Sequence, residues 1–235
     1  MRVRMSRDVG LRPDAEDRDP FQMCFTAGAS FTATAVLATA GTVTLREVRG
    51  RREWLLASFP MIFAVHQAIE GALWLVIGSG RLRPLAHGLA SSYLIVAYCF
   101  WPIGSSAALY ALEPEPAKRK QFVPFLLLGV GLSLYLLYFM ILGHVEPSIV
   151  HRSNYYDVDI PHSDGATVLY AIAVLLPFFL SSYRPIIVLG VINVVFFSIA
   201  HSVYQATFHS VWCFFAAAIS VNIYVFFRWL HRGQR

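Results

Sequence analysis

The segment WLLASFPMIFAVHQAIEGALWLVI, residues 54 to 77, decides the fold class because its 24 residues are almost entirely apolar. A helix needs roughly 20 such residues to cross a bilayer, so the segment predicts a membrane-spanning helix. His66 and Glu70 interrupt the run four residues apart, and Trp74 follows after another four. These three side chains share one helix face. Ionisable groups at membrane depth are costly and commonly functional, so we predict a functional site at His66 and Glu70.

The composition of the whole chain agrees with a membrane protein. Of its 235 residues, 57% are hydrophobic and 14% are charged, and the mean hydropathy is +0.55. Soluble domains carry about 25% charged residues. The net charge of +5 does not indicate nucleic acid as a partner, because the arginines lie between apolar blocks, where they act as topology signals. The expected partner is the lipid bilayer.

Seven apolar blocks separated by polar breaks predict an all-α, seven-helix membrane bundle formed by residues 23–235. The predicted spans are 24–45, 54–77, 85–111, 122–143, 165–183, 186–203 and 208–230. The break after the fourth span is the long polar segment 144–164. Loops of that length are commonly lids or binding loops, although a solvated cap is the simpler interpretation.

The distribution of Lys and Arg predicts the orientation of the bundle. The loops after spans one, three and five and the C-terminal tail carry eleven of them, counting Arg228, and the other loops carry three. The positive-inside rule then places the N-terminus outside and the C-terminus in the cytoplasm. The tail 1–22 adds five arginines on the wrong side and has a disordered composition, so Met23 is an alternative start of translation. The predicted location is the bacterial inner membrane.

Further histidine and cysteine side chains are predicted near the outer ends of the last spans. His201 ends span six, and His209 and Cys213 open span seven at helical spacing. With Glu70 and His66 they make up a ligand set suited to zinc or copper. The alternatives are a structural His–Glu hydrogen bond between helices, a packing role for the cysteines, and a disulfide between Cys24 and Cys213.

Several sequence blocks resemble a family of bacterial multi-pass membrane proteins of unknown function. They are MCFTAGASF at 23–31, HQAIEGALW at 66–74, Trp101-Pro102, Glu113 and SVWCFFAA at 210–217. The resemblance covers about residues 23–230 and implies a start at Met23. It also implies that Glu70 matters more than His66, because many members carry Gln at the latter place.

A more distant similarity is to seven-helix ceramidase and progestin-receptor-like hydrolases, which hold zinc with three membrane histidines. Those proteins have HxxxH in the last helix, where this chain has His209 and Cys213.

Two functional hypotheses follow from these residues. In the first, an outward-facing polar pocket formed by Glu70, His66, His201, His209 and Cys213 binds a small molecule, a lipid or a metal without turnover. In the second, His201, His209 and Cys213 hold zinc, and Glu70 with His66 catalyses hydrolysis of a lipid ester or amide. The lysines, Lys118 and Lys120, lie outside the spans, which excludes a Schiff-base retinal protein. The sequence also lacks Walker, GxSxG and CxxCH motifs.

The orientation can be tested with a reporter fused after Arg235 and an epitope inserted at Ser153. We expect the reporter to be cytoplasmic and the epitope to be accessible from outside, because the basic loops are retained in the cytoplasm. An epitope at Ser153 that is accessible only after permeabilisation would contradict the orientation.

Overall fold

The helices of the computed structural model follow the predicted apolar blocks closely. The structure describes residues 27–79, 82–143, 145–150, 153–203 and 208–232. Over these residues seven helices occur, with the following bounds: α1 Ala27–Arg46, α2 Trp54–Ser79, α3 Arg83–Leu112, α4 Pro116–Leu142, α5 Ser163–Leu180, α6 Arg184–Val203 and α7 Phe208–Leu230. The first five are long and apolar enough to cross a membrane. The predicted helical membrane architecture is confirmed at that level.

Two of these helices change their winding along their length. α3 is π-helical over Val96–Phe100, and α5 ends in a 3-10 segment over Leu176–Leu180 that contains Pro177. A proline in this place removes a backbone donor and favours the tighter ending. Neither change has an obvious marker in the hydropathy of the sequence.

The polar segment after α4 contains a β-hairpin rather than irregular chain. Strand β1, Glu146–Val150, pairs antiparallel with strand β2, Ser153–Asp157, and Ile149 lies opposite Asn154. The hairpin contacts α2, α3 and α7. The all-α prediction therefore needs this one addition, and the solvated cap is the wrong interpretation of the segment.

Polar contacts gather one set of helix ends at what we call the basic end of the bundle. Glu47, after α1, pairs with Arg228 of α7 at 3.2 Å, and Glu53, before α2, lies 3.1 Å from His231. The buried carboxylate of Glu113, after α3, accepts bonds from the backbone N–H and hydroxyl of Ser182 at 2.9 and 2.6 Å. These contacts require consecutive helices to run in alternating directions, and they place the hairpin at the opposite end, the hairpin end.

Tyr183, between α5 and α6, lies at the basic end near Glu113 and Glu53. Burial, followed by the nearby carboxylates Glu113 and Glu53, raises the pKa of the Tyr183 hydroxyl above its ordinary value. The phenol ring packs edge-on against Phe226 of α7. This end is therefore fastened by polar contacts that connect three loops and the last helix.

The outer faces of the helices are apolar, as a lipid-facing surface requires. Every helix exposes at least one large apolar side chain, for example Val36, Leu75, Ile95, Leu127, Val168, Val188 and Val221. Inside, Phe59, Phe63 and Trp101 pack together, and the Phe63 and Trp101 rings stack with centroids 4.2 Å apart. Apolar residues on both the inside and the outside are compatible with a lipid environment.

Two glycines allow neighbouring helices to approach closely. A Cβ at Gly41 of α1 would lie 2.8 Å from the Met61 nitrogen of α2, and one at Gly129 of α4 would overlap the Pro102 carbonyl of α3. Small residues at such crossings allow backbones to pack directly, which is a common way to hold membrane helices together.

Gly129→Ala should lower stability by about 1–3 kcal/mol, because the added methyl group forces α4 away from the Pro102 carbonyl. Gly131→Ala is the matched control, since no atom lies within 4 Å of a Cβ at that position. Unfolding in detergent measures both variants. Equal stability of the two would contradict the close α3–α4 contact.

Candidate functional site

The polar residues of α2 are buried at the centre of the hairpin half of the bundle. His66 and Glu70 are 1% and 2% exposed, and Gln67 between them is also buried. The Gln67 side-chain amide donates to the Glu70 carboxylate at 3.2 Å. The predicted helix face therefore points into the interior of the bundle. His66 and Glu70 are closed off from solvent, whereas a pocket open to the outside of the membrane was expected at these two residues.

His66 is held by a neighbouring backbone carbonyl. Its Nε2 lies 2.9 Å from the Tyr93 carbonyl oxygen in α3. Because a carbonyl can only accept, this nitrogen carries the proton and donates. Only Nδ1 of His66 then has the lone pair that a metal ligand requires.

Three aromatic rings connect α2, α3 and the hairpin. The His66 ring stacks on Tyr93 with centroids 3.8 Å apart, and Tyr93 stacks on Tyr156 of β2 at 4.8 Å. Tyr93 is fully buried and Tyr156 is 9% exposed. We refer to His66, Tyr93 and Tyr156 as the ring stack. It fixes the hairpin against the bundle.

Asn154 of β2 brings a second polar group from the hairpin to the α2 cluster. It is 1% exposed, and its side-chain amide donates to the Glu70 backbone carbonyl at 3.4 Å. Its Oδ1 is buried and has no hydrogen-bond partner among the described residues. A buried carbonyl oxygen without a donor is costly and calls for an explanation, such as a ligand or a water molecule.

The π-helical segment of α3 lies beside this cluster and is stabilised by neighbouring helices. The Ala97 carbonyl accepts a bond from the Tyr170 hydroxyl of α5 at 2.9 Å, and the Cys99 carbonyl accepts one from Ser133 of α4 at 3.3 Å. π-Helical turns leave carbonyls available for such bonds and occur often at functional sites. Cys99 of α3 faces Ser133 of α4, which agrees with the packing role expected for a cysteine in an apolar span.

The predicted metal-binding positions can be placed only by their backbone. His201 lies near the end of α6, and His209 and Cys213 lie in the first turns of α7, all in the hairpin half. Their side chains lie outside the described residues, as does all of Cys24. Among the side chains that are described, no three His, Cys, Asp or Glu residues are grouped to hold a metal ion. The zinc site and the Cys24–Cys213 disulfide stay predictions.

Counting residues from the basic end places Cys213 and Glu70 at similar depth. At 1.5 Å per residue, Glu70 lies about 24 Å beyond Trp54 along α2, and Cys213 lies about 26 Å from Leu230 along the antiparallel α7. The helices α2 and α7 are in contact, and α7 also contacts β2. The N-terminal half of α7 therefore lies beside the Glu70 level.

The inward orientation of Glu70 and His66 was predicted from the sequence, whereas their contacts with Asn154 and Tyr93 were missed. Tyr93 lies in an apolar span, where one more aromatic residue carries no signal. Asn154 is 84 residues from Glu70 in the chain. In β2, buried Asn154 and Tyr156 alternate with more exposed neighbours, but the five-residue sequence SNYYD has no apolar–polar alternation from which this could be predicted.

The helices have apolar outer faces and enclose a buried polar cluster. This architecture assigns the chain to the class of helical membrane-type proteins. The chain belongs to a family of unknown function, DUF6629, whose model matches residues 23–235. No curated protein and no solved structure matches the chain. Membership of a family of unknown function was expected from the sequence and is confirmed, whereas its Met-Cys-Phe start and SVWCFFAA block stay predictions.

Tyr156→Ala should release the hairpin from the bundle. Loss of a buried aromatic ring and its stacking removes about 2–4 kcal/mol of attachment, enough to raise the open population more than tenfold. Cleavage by proteinase K within 144–164 should accelerate accordingly. Ile149→Ala, at an exposed position of the same hairpin, is the control. An unchanged cleavage rate in Tyr156→Ala would contradict a role of the ring stack in holding the hairpin.

Proposed function

We propose that the protein crosses the bacterial inner membrane seven times with its hairpin end outside. Helices α6 and α7 are 20 and 23 residues long, which suits a hydrocarbon core about 30 Å thick. Loops at the basic end carry most of the Lys and Arg, so this end is assigned to the cytoplasm. Residues 23–235 form the membrane domain in this proposal, and the family match to that range supports it.

We also propose that the cluster under the hairpin binds a metal ion or a small cationic ligand. The observation that carries this proposal is the buried Oδ1 of Asn154, without a hydrogen-bond partner among the described residues, in a side chain that contacts Glu70. The Glu70 carboxylate and this amide oxygen are both acceptors. A cation or a hydrogen-bond donor complements them, whereas an anion does not.

His201, His209 and Cys213 are the nitrogen and sulfur ligands in this proposal. His209 and Cys213 occupy the part of α7 beside Glu70, and His201 lies at a similar depth in the adjoining α6. Carboxylate, imidazole and thiolate together suit zinc. His66 contributes through Nδ1, since Nε2 donates to Tyr93. In the alternative function, hydrolysis of a lipid ester or amide, zinc would activate the water and Glu70 would act as the base.

The ring stack determines how a ligand reaches the cluster. Tyr156 and Asn154 belong to the same strand, so movement of the hairpin removes a ring from the stack and an amide from Glu70 together. The hairpin is then the lid of the proposed site, and entry is from the hairpin end.

Glu70→Gln should abolish ligand binding and leave the fold near normal. The change keeps the shape and the ability to hydrogen-bond, so a purely structural role would cost only about 1 kcal/mol. Elemental analysis for zinc and copper, and native mass spectrometry for a bound small molecule, should find one ligand per wild-type protein and almost none in Glu70→Gln.

Glu113→Gln is the matched control, because Glu113 is an equally buried carboxylate at the basic end. It should lower thermal stability through lost bonds to Ser182 and leave ligand content unchanged. Absence of any ligand in the wild type, or equal content in Glu70→Gln, would contradict the proposed site.

A further inference from the structure

A polar cavity lies at the hairpin end, separate from the Glu70 cluster. Its volume is about 310 Å³. It is lined by the end of α2, the start of α3 and the first strand of the hairpin, through Val76, Ile77, Arg83, Ala86, His87, Glu146 and Pro147. Val76 lies about 9 Å beyond Glu70 along α2, so the cavity is nearer the bundle end.

The cavity presents one charge of each sign. Arg83 and Glu146 are exposed, and among the described residues neither takes part in an ion pair. They come from different elements, α3 and β1. Both charged side chains line the cavity, and a ligand that satisfies both carries a negative and a positive group.

His87 adds an oriented acceptor to the same cavity. Its Nδ1 lies 2.7 Å from the Val145 carbonyl oxygen, so Nδ1 donates and the neutral ring keeps the lone pair on Nε2. This nitrogen can accept a hydrogen bond from an ammonium group. The bond to Val145 also ties the start of the hairpin to α3, which fixes the cavity wall.

Arg83 forms the anion-binding half of the cavity. It is the first residue of α3, and a guanidinium can hold a phosphate with two parallel hydrogen bonds. Pro84 follows it and has no N–H, so the backbone here offers one donor fewer than most helix N-termini, and the arginine side chain is the main partner for an anion.

The remaining surface connects the cavity to lipid. Val76, Ile77, Ala86 and Pro147 give it an apolar wall. Leu75, Leu82 and Leu85 next to it are strongly exposed and continue the apolar outer face of the bundle. A ligand with an acyl portion can therefore occupy the cavity and remain in the bilayer.

We propose that this cavity binds the zwitterionic headgroup of a phospholipid, with the phosphate at Arg83 and the ammonium at Glu146 and His87. The inference rests on the proposed membrane insertion but not on the ligand site at Glu70. Glu70→Gln should leave headgroup binding unchanged, so failure of one proposal is distinguishable from failure of the other.

Native mass spectrometry of the purified protein with added phosphatidylethanolamine or phosphatidylglycerol of the same acyl chains tests the proposal. The wild type should retain one phosphatidylethanolamine and prefer it several-fold over phosphatidylglycerol. Arg83→Gln should weaken binding of both lipids several-fold, because both contain the phosphate. Glu146→Gln should remove the preference and keep phosphatidylglycerol binding, because only the ammonium loses its partner.

Arg184→Gln is the control, since Arg184 is an exposed arginine at the start of α6, at the basic end. It should behave as the wild type.

Glycerophosphoethanolamine, which has no acyl chains, should compete only weakly if the bound ligand is a lipid. Competition as strong as that of the lipid would identify a free zwitterion as the ligand instead. Equal binding of the two lipids by the wild type, or no effect of Arg83→Gln and Glu146→Gln, would overturn the headgroup site.

Discussion

The ring stack of His66, Tyr93 and Tyr156 is the interaction on which the hairpin half of the molecule depends. It joins two helices to a hairpin that is otherwise attached through a few backbone and side-chain contacts. The stack also satisfies the polar group of His66. Its imidazole donates a hydrogen bond to the Tyr93 carbonyl, and one face of its ring is covered. In a lipid environment an imidazole without such a partner is expensive.

The π-helical segment of α3 shows how the bundle tolerates irregular backbone beside this stack. Carbonyls at membrane depth need donors from within the protein. Here Tyr170 and Ser133 donate to Ala97 and Cys99, so helices α5 and α4 complete the hydrogen bonds around α3. Pro102 follows the π-helical segment in α3, and Gly129 of α4 packs against it. The irregular turn is thus held between two helices, next to the buried polar cluster.

Hydropathy and charge predicted the helices well, because apolar length and the positions of Arg and Lys are local properties of the sequence. The fourth helix is the main departure: α4 begins at Pro116, six residues before the predicted span, so that Lys118–Lys120 form part of its first turns. Proline suits the first position of a helix, and exposed basic side chains are compatible with its end.

The site was harder to predict because its parts come from distant segments. Glu70 and His66 were recognisable as ionisable residues in an apolar run. Asn154, in contrast, belongs to a polar segment without clear strand signals. The partner strand β1 even contains a proline, Pro147. Proline in a short segment argues against a strand unless the strand is an edge, which both strands of a two-stranded hairpin are. Pairing of the hairpin with the buried face of α2 is a tertiary property, and no local pattern records it.

The hairpin is packed into the bundle over Glu70 rather than solvated above it. Labelling of single cysteines with a membrane-impermeant maleimide, in a background without the native cysteines, tests this packing. Asn154→Cys should label slowly because residue 154 is 1% exposed, whereas Ser148→Cys, at an exposed position of the partner strand, should label rapidly. Equal, rapid labelling at both positions would contradict the account.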